Sequence, residues 1–195
     1  EKAQKEPEAE VLIRAMQDSN LPKFLEVDIE LFLDIIKDLF PKTEVTVKEN
    51  VVFLNKVKQI IDEENLKPTP DFVKKVSQLL DTMMVRLGNM IVGLTGVGKT
   101  SIYRVLMKTL SELGKDKELA ESDDWYCPIK LDILNPKAVP KSDLYMEKDE
   151  ITQTWEDGIV AKIMREAEEE EKTQTKITKR LWLIFDGPVD ATWIE

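Results

Sequence analysis

Apolar residues fall into two rhythms along this chain. In the first, Leu31, Phe32, Ile35, Ile36 and Leu39 return every three or four positions, the period of a helix with one face turned inward. Asp28 stands ahead of them as a candidate N-cap, and Pro41 forbids simple continuation. Val52, Leu54, Val57, Ile60 and Ile61 predict a second helix from about Glu49 to Glu64. A third is punctuated at both ends: Thr69 as N-cap, Pro70 in the first position where its missing N–H costs nothing, then Phe72, Val76, Leu79, Leu80 and Met83, with Gly88 as a stop. The second rhythm is the short apolar run. Asn89-Met90-Ile91-Val92, Ile129 to Leu134 and Leu181 to Phe185 are predicted as buried strands, and Asn135-Pro136 closes the middle one.

The remaining segments follow from the same patterns. Ser101 to Lys108 opens a helix predicted to end near Gly114, and the charged stretch Lys115 to Asp124 reads as a surface connection. Ile151, Trp155, Ile159, Ile163 and Met164 predict a long helix from about Glu150 through Glu171, whose acidic end is a solvated terminus. Met83, Met84, Met90 and Met107 are assigned to packing around the first strand. Organised structure is expected from near Glu10, after a polar linker at Glu1 to Pro7. Strands alternating with helices imply an α/β fold with a parallel sheet, preceded by a helical lead-in. No internal repeat is visible.

Between the first strand and the helix after it lies Gly93-Leu94-Thr95-Gly96-Val97-Gly98-Lys99-Thr100, which fits the P-loop pattern G-x-x-x-x-G-K-[ST]. Triphosphate oxygens are met by a cup of backbone N–H groups, and only a glycine-rich turn closes such a cup without Cβ clashes. Lys99 is then placed for the β/γ-phosphates, Thr100 for Mg²⁺, and Ser101 for the first turn beside the nucleotide. The competing reading is an ordinary strand-turn-helix corner. Position and spacing favour a bound nucleotide with Mg²⁺.

Composition removes other classes. The chain has 195 residues, 42% of them apolar, enough for a core, and a net charge of −10. That charge argues against a nucleic-acid binder, and the four Trp residues, Trp125, Trp155, Trp182 and Trp193, are read as core or interface anchors rather than base-stacking platforms. With no histidine, a Ser-His-Asp triad and His-ligated metals are excluded within the chain. Cys127 stands alone, so no intrachain disulfide forms; with no signal-peptide pattern, a cytoplasmic setting is expected. No apolar run is long enough for a membrane helix.

A second motif completes the chemistry. Asp186 follows the apolar run Leu181 to Phe185, where P-loop ATPases carry the acid that holds Mg²⁺ through its water shell. The next position ordinarily carries the Glu that polarises the attacking water in AAA+ ATPases, and here it is Gly187. Nucleotide binding and hydrolysis therefore separate. Asp190 and Glu195 lie close by in sequence without an assigned role.

With the residues around them these motifs form five blocks that resemble the second AAA+ module of the dynein heavy-chain motor ring, more closely the axonemal ones. The blocks are Arg14-Ala15 with Asp18, Asn20 and Leu21 to Leu25; Asp38-Leu39-Phe40-Pro41; the P-loop with Tyr103 to Leu106; Leu134 to Ala138; and Trp155 to Gly158 with Phe185 to Ala191 and Trp193 to Glu195. The resemblance implies a module that binds ATP as a regulatory or structural ligand with little or no hydrolysis, in a ring whose first module is the main ATPase. It implies that Leu39, Phe40 and Pro41 line the adenine pocket, and that residues 1–22 are linker and tail of the preceding module's small subdomain. Residues 23–195 would form an incomplete large subdomain, with a P-loop strand and helix at 89–114 and the Asp186 strand at 181–186, stopping before the lid. An arginine finger would come from a neighbouring module. Implied partners are neighbouring modules of the same chain, intermediate and light chains and microtubules, with no nucleic acid and no membrane; the implied location is the cytoplasm and cytoskeleton, in the axoneme of a cilium or flagellum. Two departures are Lys42 after Phe40-Pro41 and Met146 after Leu144-Tyr145, where the family has glycine.

Two other readings stay open. One is an actively hydrolysing P-loop ATPase, or a GTPase or kinase; Asn55-Lys56-Val57-Lys58 lacks the Asp of a guanine reader. The other is an interaction module with a vestigial pocket.

Overall fold

The three-dimensional structure is a computed structural model that describes residues 8–41, 43, 50–148, 151, 153–172 and 178–194. Lys42, Glu49, Glu150, Glu195 and the polar opening 1–7 lie outside the described residues. The chain divides into two compact units, Glu1–Thr109 and Leu110–Glu195.

The first unit is helical. Helix α1 spans Glu8–Asn20, a short 3₁₀ turn follows at Leu21–Lys23, and α2 (Glu26–Leu39), α3 (Val51–Glu63) and α4 (Pro70–Val85) come next. Local signals set most of these boundaries. Asn50 caps α3 by accepting from the Phe53 N–H at 3.0 Å, and Thr69 caps α4 by accepting from Phe72 N–H at 3.3 Å. Each cap satisfies a donor that the first turn leaves without an intrahelical partner. Asp28 is not a cap: α2 begins at Glu26 behind Leu25, so Asp28 falls in the first turn, where a carboxylate still suits the positive end of the helix. Phe53, Val57, Ile60 and Ile61 of α3, with Val73, Val76 and Leu80 of α4, are buried, joined by Ile13 of α1 and Ile36 of α2. The other predicted apolar positions of α2 divide differently, Leu31, Ile35 and Leu39 being exposed. Among the described residues four α-helices thus precede the phosphate loop where three were predicted, because α1 carries a buried Ile13 and Gln17 on a face too mixed to show a clear period.

Residues 89–92 are a correction. They form no strand, and Met90 and Val92 are 66% and 82% exposed. An apolar run becomes a strand only when a neighbour accepts and returns its backbone hydrogen bonds, and this run has no ladder. Met84 is exposed as well, so neither it nor Met90 packs a core.

Helix α5 (Lys99–Leu113) begins in the first unit and ends in the second. The second unit is α/β. Strand β1 (Ile129–Leu134) pairs in parallel with β4 (Arg180–Phe185), in a register that sets Leu131 beside Trp182 and Leu134 beside Phe185. Both strands match the apolar runs that predicted them. Helix α6 (Lys117–Ser122) replaces the expected plain connection, because Asp116 caps it by accepting from the Glu118 and Leu119 N–H groups. Helix α7 (Lys141–Leu144) leads into an antiparallel pair, β2 (Met146–Lys148) with β3 (Trp155–Asp157), and only then does α8 (Ile159–Lys172) start. The predicted helix from 150 is therefore cut short. Trp155 lies on β3 and is 65% exposed, so it is no core anchor. The acidic end of α8 is solvated as predicted, with Glu168 bonded to Lys172 at 2.6 Å and Glu170 to Lys179. A short helix α9 (Ala191–Ile194) follows β4 and buries Trp193. No helix among the described residues is long and apolar enough to cross a membrane.

Candidate functional site

The sequence leaves the exposed segment at Gly93 and enters α5 at Lys99 through a tight turn. Gly96 and Gly98 take φ of +85° and +89°, the left-handed region that side-chain-bearing residues rarely adopt. The Gly98 carbonyl accepts from Ile102 N–H at 2.9 Å, the first bond of the helix. The N–H groups of Lys99, Thr100 and Ser101 consequently open into the loop with no partner in the preceding turn, at the positive end of a helix of 15 residues. This is the physical basis of anion binding at such a corner.

Lys99 binds the loop to itself. Its Nζ donates to the Gly93 carbonyl at 2.9 Å and to the Leu94 carbonyl at 2.8 Å. One ammonium thereby joins both ends of the glycine-rich turn. Residues Gly93 to Val97 are exposed and Gly98 to Ser101 half-buried, so the loop opens to solvent on one side and rests on the helix on the other. Beside it lies a cavity of about 240 Å³, lined by Gln78, Leu79 and Thr82 of α4, by Met90 to Val92 and by Ile102. None of residues 93–98 lines that cavity, so it is separate from the phosphate loop.

Leu39, Phe40 and Pro41 sit where α2 ends: Phe40 N–H donates to Ile36 O at 2.9 Å, and Phe40 O accepts from Thr43 N–H at 3.1 Å. Leu39 and Pro41 are exposed and Phe40 half-buried. They take no part in the hydrogen bonds of the P-loop.

Asp186 belongs to the second unit. Its backbone N–H donates to Leu134 O at 2.8 Å, which carries the ladder of β1 and β4 one residue beyond the strand and fixes the acid at the carboxyl edge of the sheet. Ligand sites of parallel α/β sheets lie at that edge. Gly187 packs against the turn that closes β1, and Asp190 is engaged elsewhere. The Asp190 carboxylate pairs with Lys137 and accepts from Thr192 N–H at 3.0 Å, capping α9. The hydrogen bond from Lys137, aided by Thr192, holds its acid below the usual carboxylate range despite the opposing cost of desolvation. A carboxylate so stabilised is a poor proton acceptor for a catalytic water.

Several contributors were not legible in the sequence. Tyr145 donates its hydroxyl to Trp193 O at 2.7 Å, Trp193 Nε1 donates to Pro188 O at 3.0 Å, and the Trp193 ring stacks on Phe185. These contacts hold the segment after Asp186 from the side of α9. Asn135 packs against Gly187 from the side of β1, a contact that neither its Asn-Pro dipeptide nor its place in the Leu134 to Ala138 block reports. Trp125 carries Arg180 over its ring at 4.1 Å, a cation–π contact rather than a base platform. Burial raises the Cys127 thiol above its ordinary value, although Arg180 draws it back in part.

A P-loop divalent ion takes one protein hydroxyl, phosphate oxygens and water held by a carboxylate. Thr100 and Asp186 are donors of those two kinds. Among the described residues no group of three or more Cys, Asp or Glu is placed to hold a metal by itself.

Comparison with known proteins supports a nucleotide-binding site. The family described as "Hydrolytic ATP binding site of dynein motor region" matches residues 1–100. The chain is 43% identical over 185 residues to human dynein axonemal heavy chain 6 and 40% identical over 190 residues to mouse dynein axonemal heavy chain 3. It is 35% identical to the Chlamydomonas reinhardtii dynein-1-beta heavy chain of the flagellar inner arm I1 complex. These alignments cover 95–97% of this chain and 4% of each relative, so the chain spans a small part of the proteins it matches.

Proposed function

Because the chain belongs to the dynein motor-region family of AAA+ ATP-binding domains, we propose that it is the second AAA+ module of an axonemal heavy chain, holding Mg-ATP with little or no hydrolysis. The observation that carries the reading is the pairing of an intact phosphate loop with Gly187 directly after Asp186. The P-loop N–H groups receive phosphate oxygens, and Lys99 exchanges the carbonyls of Gly93 and Leu94 for the β/γ-phosphates, whose full charge makes them better acceptors. Thr100 and Asp186 take the metal, and Leu39, Phe40 and Pro41 the adenine. The bound ion neutralises phosphate charge. Of the described positions just after Asp186, Gly187 has no side chain to draw a proton from water and the Asp190 carboxylate is held by Lys137.

The family description names a hydrolytic site, but the matched region ends at residue 100, ahead of Asp186 and Gly187. Through the parent heavy chain, the module would work among neighbouring AAA+ modules, with intermediate and light chains and microtubules, in the axoneme of cilia or flagella. The test is to purify the full heavy chain containing these residues after incubation with Mg-ATP, denature it and chromatograph the released nucleotide. The share lost on Lys99→Ala belongs to this site. ATP in that share supports the reading; ADP makes the module an active ATPase, and no loss on substitution makes the pocket vestigial.

A further inference from the structure

Gly187 sits against the turn that ends β1. A Cβ placed on it would lie 3.1 Å from Asn135 Oδ1 and 3.3 Å from Pro136 Cδ, both tighter than ordinary van der Waals contact. Neither neighbour gives way freely. Pro136 is buried and its ring has no alternative rotamer to adopt. Asn135 Oδ1 accepts from Lys137 N–H at 3.0 Å while Asn135 O accepts from Ala138 N–H at 3.0 Å, so side chain and backbone both build the turn. Retreat the other way is closed as well, because Asp186 N–H is tied to Leu134 O and Pro188 O to Trp193 Nε1.

From this packing we infer that the Asn135-Pro136 turn is the element that keeps a water-polarising carboxylate out of the site, and that residue 187 and the turn act as one unit. The inference rests on the proposed reading that this module binds ATP without turnover. Hydrolysis would need water to attack the γ-phosphorus, the bond to the β–γ bridging oxygen to break, and the water's proton to pass to a carboxylate near position 187. Writing Glu into position 187 alone does not supply that carboxylate in place. The new Cβ must displace Asn135 Oδ1 by a few tenths of an ångström, which strains its bond from Lys137 N–H and the turn that carries the Lys137 partner of Asp190. Asn135 is thus a positioning residue, acting on the chemistry through the space at 187.

The experiment compares wild type, G187E and N135G/G187E in the full heavy chain, reading the nucleotide in the share that Lys99→Ala removes. ATP is expected in wild type and in G187E, with at least a tenfold rise in the ADP:ATP ratio only in the double variant. ADP from G187E alone, or none from the double variant, overturns the inference. ADP already in wild type overturns the proposed function instead, which keeps the two failures apart. Should G187E not fold, G187A tests the contact without a carboxylate. Overpacking of this kind lowers the melting temperature of the 195-residue chain by about 2–10 °C, and the fall should be less than half as large in the N135G background. Equal falls in the two backgrounds overturn it.

Discussion

Phe185 and Trp193 lie with their ring centroids 5.2 Å apart and their planes 29° from parallel, joining the last residue of the Asp186 strand to the helix that follows. Trp193 is 9% exposed and bonded at both its indole N–H and its carbonyl, to Pro188 and Tyr145. Trp193→Ala should therefore cost about 3 kcal/mol, whereas Tyr145→Phe, which removes one hydrogen bond and leaves the ring, should cost about 1 kcal/mol. Urea unfolding followed by circular dichroism gives both values, and equal costs would show that the ring contacts carry nothing.

Gly98 offers a test of the phosphate loop. At φ of +89° an alanine meets no serious obstacle beyond the Phe72 ring at 3.7 Å, so the penalty of Gly98→Ala is backbone strain of about 1–2 kcal/mol. The loop relaxes it by turning its N–H groups out of the cup. Nucleotide retention should fall by at least tenfold, with helix content by circular dichroism unchanged. Retention at the wild-type level would remove the loop geometry from the account of binding.

Asp81 gives the chain a pH dependence. Desolvation, and then the Asp18 charge, push its acid up to about 6 from 3.8. The folded state then binds the proton more tightly than the unfolded state, so the contribution of Asp81 to stability is fullest below pH 4, falls as pH rises through 6, and is flat above. Asp81 is nevertheless exposed by surface area, so solvent screening limits the effect to about 1 kcal/mol. Asp81→Asn should remove this slope and leave the chain more stable at pH 7.5. A parallel slope in the variant, measured by urea midpoints from pH 4 to 7.5, would assign it to another group.

The caps of α3 and α4 are independent of one another. Asn50→Ala and Thr69→Ala should each cost about 1 kcal/mol, and the double variant their sum within about 0.5 kcal/mol. Thermal denaturation of the four proteins checks this; a double variant no worse than either single one would mean that the two helix starts unfold together.

What could be read from the sequence was what short stretches decide for themselves. Thr69 and Pro70 mark a helix start because cap and first-turn chemistry need only neighbours in the chain, and β1 and β4 lie where their apolar runs are. The phosphate loop was legible for the same reason, since its glycines, lysine and threonine are contiguous. Where pairing with a distant segment decides, the reading failed. Trp155 shares a helical spacing with Ile151 and Ile159, yet it pairs through β3 with β2, and no periodicity reports a hairpin partner. Asn135 could be read as the end of a strand and as part of a family block, but not as a neighbour of Gly187, which is brought beside it by the parallel pairing of β1 with β4.

The bare run from Met90 to Val92 has a cost outside the folded chain. Its amide and carbonyl groups enter no ladder among the described residues, and Leu94 extends the greasy surface at 82% exposure. Such a segment pairs readily with its own kind, edge against edge, and the charge of −10 spread over the rest of the molecule does not shield it. Colloidal behaviour in a concentrated tube is thus expected to depend on a handful of residues beside the nucleotide loop, and light scattering should follow that stretch more closely than ionic strength.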